Sequence, residues 1–294
     1  MDFHSVSLPD GRTLAYAEYG DEQGAPLFFF HGIPGSRLFR PPDAITRRSG
    51  VRLICVDRPG YGQSTFQPRR RILDWAADVA FLADSLGLER FAVAGHSGGG
   101  PYALACAFAL PARVTLAVVV AGLGPSDAPG ALQGMWARNR LGLRVGRLAP
   151  WPLWRLLIWI FFHKGARAPK TVVESDQSQR PRADAELWKD PAIRAICYQS
   201  EVEAFRQGTL GHAWETRLIS RPWGFPLENI RPPVYLWHGS QDNLAPIQMA
   251  YYLAARIPEV YPQFYEGEAH LLLFPHWEEI LQQCVKAGDR RQRT

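Results

Sequence analysis

Residues 95–99 read Gly-His-Ser-Gly-Gly, set between the strand-forming run RFAVA (90–94) and the helix-forming run PYALACAFAL (101–110). A serine on a sharp strand-to-helix turn, with glycines two before and two after so that neighbouring backbone can pass, is presented for attack on an electrophile. A phosphate-cradling glycine loop is the rival reading. The P-loop lysine and the G-x-G-x-x-G spacing are both missing, so it fails. The Ser97 hydroxyl is a weak nucleophile at neutral pH and needs a base to take its proton.

Eight histidines are available. His270, in YEGEAHLLLF, follows the last expected strand, in a loop from which an imidazole reaches back over the sheet's carboxyl edge. His276 reads as a capping or surface residue, and His31 and His96 as turn supports. His238 ends a strand, His4 falls in the first hairpin, and His163 and His212 lie in the middle of the chain. The base in turn needs a carboxylate to fix its tautomer. Asp242, in HGSQDNLAP, follows a buried strand and precedes a helix; Asp127, in GPSDAPG, reads better as a turn residue. The chain order Ser97, Asp242, His270 suits a nucleophile, acid and base at one sheet edge. Developing negative charge on an attacked carbonyl oxygen would be met by backbone N–H groups. Gly98 supplies one, and Ile33 in the turn HGIPG (31–35) supplies the other. Each such donor is worth about 3 kcal/mol of transition-state stabilisation.

The elements that must position these residues follow from patterning. FHSVSL and TLAYAEYG alternate around PDG, as a hairpin does. PLFFF (26–30), VRLICV (51–56), RFAVA, VTLAVVV (114–120) and PVYLWHG (233–239) are unbroken apolar runs, suited to strands covered on both faces. Helical spacing over 72–88, a helix opening at Pro101, and helices over 246–257 and 275–287 alternate with them, VYPQFY (260–265) being the last strand. The expectation is an α/β fold with a mostly parallel central sheet flanked by helices. Residues 1–123 and 229–294 form its core. Residues 124–228, with few strand signals and seven of the ten tryptophans, form an inserted helical cap.

Composition excludes several classes. The 47% hydrophobic and 21% charged content is that of a soluble globular protein. Four scattered cysteines show neither C-x-x-C nor metal spacing, and read as free thiols in a reducing compartment. No metal or cofactor is expected. The start, MDFHSVSLPDG, lacks the features of a secretory signal, and no apolar run reaches the roughly 18 residues of a membrane span, so a cytoplasmic location is expected. The net charge of +5 is spread along the chain without a recognition motif, which argues against a nucleic-acid partner.

Five motifs, HGIPGS (31–36), DRPGYGQS (57–64), GHSGGG (95–100), HGSQD (238–242) and GEAH (267–270), occur in an order and at intervals that resemble the serine α/β-hydrolases with a helical cap. The resemblance implies the triad Ser97, Asp242 and His270, the Ile33 and Gly98 oxyanion donors, and a supporting role for residues 57–64. Ser97 departs from the aspartate nucleophile of epoxide hydrolases and haloalkane dehalogenases. Gly98 departs from the tryptophan of proline iminopeptidases, and His96 and Gly98 from the pattern of carbon–carbon bond hydrolases.

From Ala128 to Val173 there is no acid but eight Arg and Lys, and WPLWRLLIWIFF (151–162) is apolar nearly all round. The expectation is a helix buried between cap and core that also lines an acyl pocket; contact with a membrane surface ranks below it. Trp136, Trp154 and Trp159, with His31, are candidates to touch substrate. The function expected is hydrolysis of a fairly apolar small-molecule ester through an acyl-enzyme. Acyl transfer to another acceptor or to peroxide, carbon–carbon bond cleavage, and a non-catalytic ligand receptor are the alternatives.

Overall fold

The computed structural model of the chain describes residues 3–167 and 179–292. Eight strands form one sheet in the order β1-β2-β4-β3-β5-β6-β7-β8. They are β1 (His4–Ser7), β2 (Thr13–Gly20), β3 (Ala25–Phe30), β4 (Val51–Val56), β5 (Phe91–His96), β6 (Val114–Val120), β7 (Val234–Gly239) and β8 (Val260–Tyr265). β1 and β2 pair antiparallel, as do β2 and β4; every later pairing is parallel.

The unbroken apolar runs are explained by the two faces they serve. Phe28, Phe30, Ile54, Val56, Val93 and Val119 point into one core; Leu27, Phe29, Leu53, Cys55, Val118 and Val120 point into the other. With both faces covered, the strands have no solvent side on which a polar residue would be placed. β8 is the exception that fits: it lies at the sheet edge, largely exposed, and tolerates Pro262 because an edge strand has one row of N–H groups without a ladder partner.

Helices α1 (Asp43–Arg48), α2 (Trp75–Ser85) and α3 (Gly100–Ala109) fall between the first six strands, and α9 (Ile247–Arg256) and α10 (Trp277–Gln292) follow β7 and β8. α2 is shorter than its apolar spacing predicts, because Ile72 packs into the core from the turn ahead of it. Its end is the expected one: Gly87, at φ 69°, lets Leu88 N–H reach Ala83 O and its own N–H reach Asp84 O. Between β6 and β7 lie α4 (Ala137–Leu148), α5 (Trp151–Arg167), α6 (Arg182–Leu187), α7 (Pro191–Ala204) and α8 (Leu210–Ile219), with no strand among the described residues.

One expectation fails here. The apolar helix α5 is not buried on all sides: Trp154 and Ile158 pack inward, while Leu153, Leu156, Trp159 and Ile160 are exposed. An all-apolar string carries no phase, so its spacing could not say which face would be covered. No helix among the described residues is long and apolar enough to cross a membrane.

Candidate active site

Ser97 stands at the carboxyl end of β5, where a single 3-10 turn (Ser97–Gly99) leads into α3. Its backbone is in the left-handed region, φ 54°, a conformation a side-chain-bearing residue adopts only when its surroundings impose it. Those surroundings are visible. A Cβ on Gly95 would overlap the carbonyl oxygen of Gly99, and one on Gly99 would overlap that of Phe30 in β3. The flanking glycines let strand, turn and neighbouring strand approach backbone to backbone.

Asp242 and His270 come from the turns after β7 and β8, two and three strands along the sheet from β5. His270 Nδ1–H donates to Asp242 Oδ2 at 2.8 Å, and both residues are buried. The other carboxylate oxygen, Oδ1, accepts Leu244 N–H at 2.8 Å and Ala245 N–H at 2.9 Å. Burial opposes both charges, but the imidazole and its hydrogen bond hold Asp242 below the ordinary carboxylate value. Burial likewise opposes a charged His270; the charge and hydrogen bond of Asp242, then the charge of Asp184, outweigh it and hold the imidazole above its ordinary value. With Nδ1 engaged, Nε2 is the nitrogen available to the cavity that His270 lines.

That cavity, of about 720 Å³, is walled mostly by apolar side chains, among them Leu123, Met135, Leu143, Trp154 and Ile158. Ser97 and Ile33 line it with His270. The side-chain bond His270 makes among the described residues is the one to Asp242, so Ser97 and His270 line one cavity without a hydrogen bond between them. Hydroxyl–imidazole contacts of this kind commonly close only when substrate is bound. Ile33 abuts the elbow: a Cβ on Gly98 would overlap its side chain. Among the described residues Ile33 N–H has no protein acceptor, and so remains a donor at the cavity edge.

Of the residues expected to touch substrate, Trp136 and Trp154 line the cavity, and Trp154 Nε1–H is fixed by Ala213 O at 2.9 Å. Two expectations need correction. Trp159 lies on the outward face of α5, where its ring stacks on His163. His31 is fully buried away from the cavity: Nδ1–H donates to Gly32 O at 2.8 Å and Nε2 accepts Arg58 N–H at 3.3 Å. Burial, then the neighbouring Arg58 charge, keep it well below the ordinary histidine value, as befits a neutral brace. Asp127, the rival acid, faces Arg147 at 3.8 Å instead. His96 donates from Nε2 to His270 O at 3.0 Å, and burial and then the His270 charge lower it to about 3. His238 donates to Ala245 O at 2.6 Å beneath Asp242.

Three supporting carboxylates, Asp184, Glu203 and Glu215, escape sequence reasoning. Asp184, on α6, accepts the backbone N–H groups of His270 and Leu271. Arg58 donates to the carbonyls of His31 and Gly32, at 2.5 and 3.0 Å, and to both oxygens of Glu215 on α8. Arg37 joins Asp57 to Glu203 of α7. The motif DRPGYGQS marked Asp57 and Arg58; nothing in the sequence marked their carboxylate partners. No group of three or more His, Cys, Asp or Glu that could hold a metal occurs among the described residues.

Known proteins resemble this chain in sequence and in fold. The chain is 37% identical over 124 residues to a non-heme chloroperoxidase from Streptomyces lividans, 41% of this chain and 45% of that one. It is 32% identical over 97 residues to a bifunctional esterase/perhydrolase from Acinetobacter calcoaceticus, 32% of this chain and 35% of that one. The matched stretch thus spans less than half the length of these curated relatives. A thermophilic esterase from Thermogutta terrifontis superposes over 100% of both chains with a TM-score of 0.68 at 21% identity, a likeness of fold. The model of the alpha/beta hydrolase family matches residues 27–283, and the chain belongs to that family.

Proposed function

We propose that this protein is a serine hydrolase that cleaves carboxylic esters of fairly apolar substrates through an acyl-enzyme, with residues 124–228 serving as a cap over the site. The observation that carries the reading is the Asp242–His270 pair opening onto the mostly apolar cavity that Ser97 also lines. Ser97 Oγ attacks the ester carbonyl as His270 Nε2 takes its proton, and Asp242 stabilises the imidazolium. The N–H groups of Ile33 and Gly98 receive the oxyanion. His270 returns the proton to the departing alkoxide, which leaves as the alcohol. Water then attacks the acyl carbonyl with His270 again as base, releasing the acid and restoring the serine.

The similarity to an esterase/perhydrolase supports a second reading, in which hydrogen peroxide replaces water as acyl acceptor and a peracid is the product. Adding peroxide to an ester assay and separating acid from peracid distinguishes the two.

A fluorophosphonate probe is expected to label the wild-type protein and not the Ser97→Ala variant. Ser97→Ala is expected to lose aryl-ester hydrolysis by about four orders of magnitude or more. A variant hydrolysing short aryl esters as fast as the parent would falsify the proposal.

A further inference from the structure

α5 is apolar on nearly every side yet covered on one. Trp154 and Ile158 are held against α8, and Gly146 of α4 sits beneath the Trp154 ring. Leu153, Leu156, Trp159 and Ile160, at helical spacing on the opposite side, are about half exposed. Contiguous exposed apolar surface of this kind marks an interaction site, whereas single exposed apolar residues need no explanation. α4 carries an exposed stripe of its own: Leu141 and Leu148 are exposed, with the exposed Arg144 between them at helical spacing.

Two further observations say what covers this face. Leu141 and Phe161 line the cavity and are nevertheless 62% and 70% exposed, so the cavity reaches the surface where α4 and α5 border it. The surrounding charge has one sign: residues 128–173 contain eight Arg and Lys and no Asp or Glu, and Arg144 and Arg155 are exposed among the apolar side chains. A second copy of the chain meeting this face about a twofold axis would set arginine against arginine. An anionic lipid layer offers apolar depth to the Leu, Ile and Trp side chains and negative charge to the arginines.

We propose that the outer face of α4 and α5 docks on an anionic lipid surface, and that the ester substrate passes from that layer into the cavity. The second clause rests on the hydrolase reading; docking does not.

The test is sedimentation with vesicles, which needs no catalysis. Wild-type protein is expected to co-sediment with phosphatidylglycerol/phosphatidylcholine vesicles, and to be released by salt. Leu156→Glu/Ile160→Glu is expected to bind these vesicles at least about ten-fold more weakly, since it places two acids on the docking face. Neither residue lines the cavity, so the double variant should hydrolyse a soluble short aryl ester at the wild-type rate while losing hydrolysis of a vesicle-borne ester. The proposal is overturned if the wild type fails to bind, if pure phosphatidylcholine binds it equally, or if the double variant binds undiminished. It is overturned too if the wild type sediments as a dimer that the double variant disrupts, which would make the face a self-association surface. Retained vesicle binding with no ester hydrolysis would sink the proposed enzymatic function and leave docking standing.

Discussion

Asp184 lies 86 positions before His270 in the chain, yet its carboxylate accepts His270 N–H at 3.1 Å and Leu271 N–H at 2.8 Å. A side chain from the helical segment between β6 and β7 thus fixes the backbone that carries the proposed base. It contributes charge as well: burial raises Asp184 above its ordinary value, and the nearby imidazole opposes that rise.

Asp184→Asn is therefore expected to act through His270. An amide can accept one N–H but presents its own donors to the other, so the loop loosens and kcat falls by up to about a hundred-fold. A purely structural role would leave the pH profile in place. Here the acid limb of kcat/KM should move to lower pH, because the imidazolium loses one of two stabilising carboxylates. In the wild type the limb should lie above the ordinary histidine value of 6.5, since His270 must be neutral to act as base and its affinity for the proton is raised.

Gly98→Ala tests the oxyanion turn. The added methyl would overlap the Ile33 side chain and displace one proposed N–H donor relative to the other. Loss of one donor's alignment costs on the order of a hundred-fold in kcat. Fluorophosphonate labelling should slow in parallel, while the circular dichroism spectrum stays that of the parent.

Glu215 is fully buried against Arg58 and Arg70, at 2.7 and 3.2 Å. Glu215→Gln leaves two guanidinium groups without their counter-charge, at a cost of about 3–5 kcal/mol. Thermal unfolding should show a fall in melting temperature of roughly 10 °C. The same carboxylate sets an acid dependence. Burial alone would raise its proton affinity, but Arg58 and then Arg70 bring it down to about 2 from an ordinary 4.5. Its contribution is thus complete above pH 4.5 and is lost as pH falls toward 2. The Gln variant should lose less stability across that window than the wild type.

Leu143→Trp should narrow the acyl preference. Leu143 is buried on the cavity wall, and a larger ring there removes room that long chains need. Each methylene accommodated by an apolar pocket is worth about 1–3 kcal/mol. Specificity constants for a series of p-nitrophenyl esters should fall for long acyl groups and hold for acetate.

Legibility in the sequence followed the range of the physics involved. The parallel strands could be read because burial on both faces leaves a local signature, and Gly87 because a left-handed helix end calls for glycine. Ser97, Asp242 and His270 could be placed at one edge because each directly follows a readable strand. Asp184 could not, since its partners are backbone amides, which every sequence position offers alike. His31 and Trp159 were misplaced for a related reason: residue type says that a ring prefers apolar company, not whether that company is a cavity wall, a turn or the outside of a helix.

Arg58 ties the first glycine-rich turn to α8, and Arg37 ties Asp57 to α7, each clasping a buried carboxylate of the helical segment. Lifting those two helices away would break both ion pairs and the hydrogen bonds that complete them. The proposed cap is thus tied down at α7 and α8, and under the hydrolase proposal ester and product would pass at the margin where α4 and α5 border the cavity.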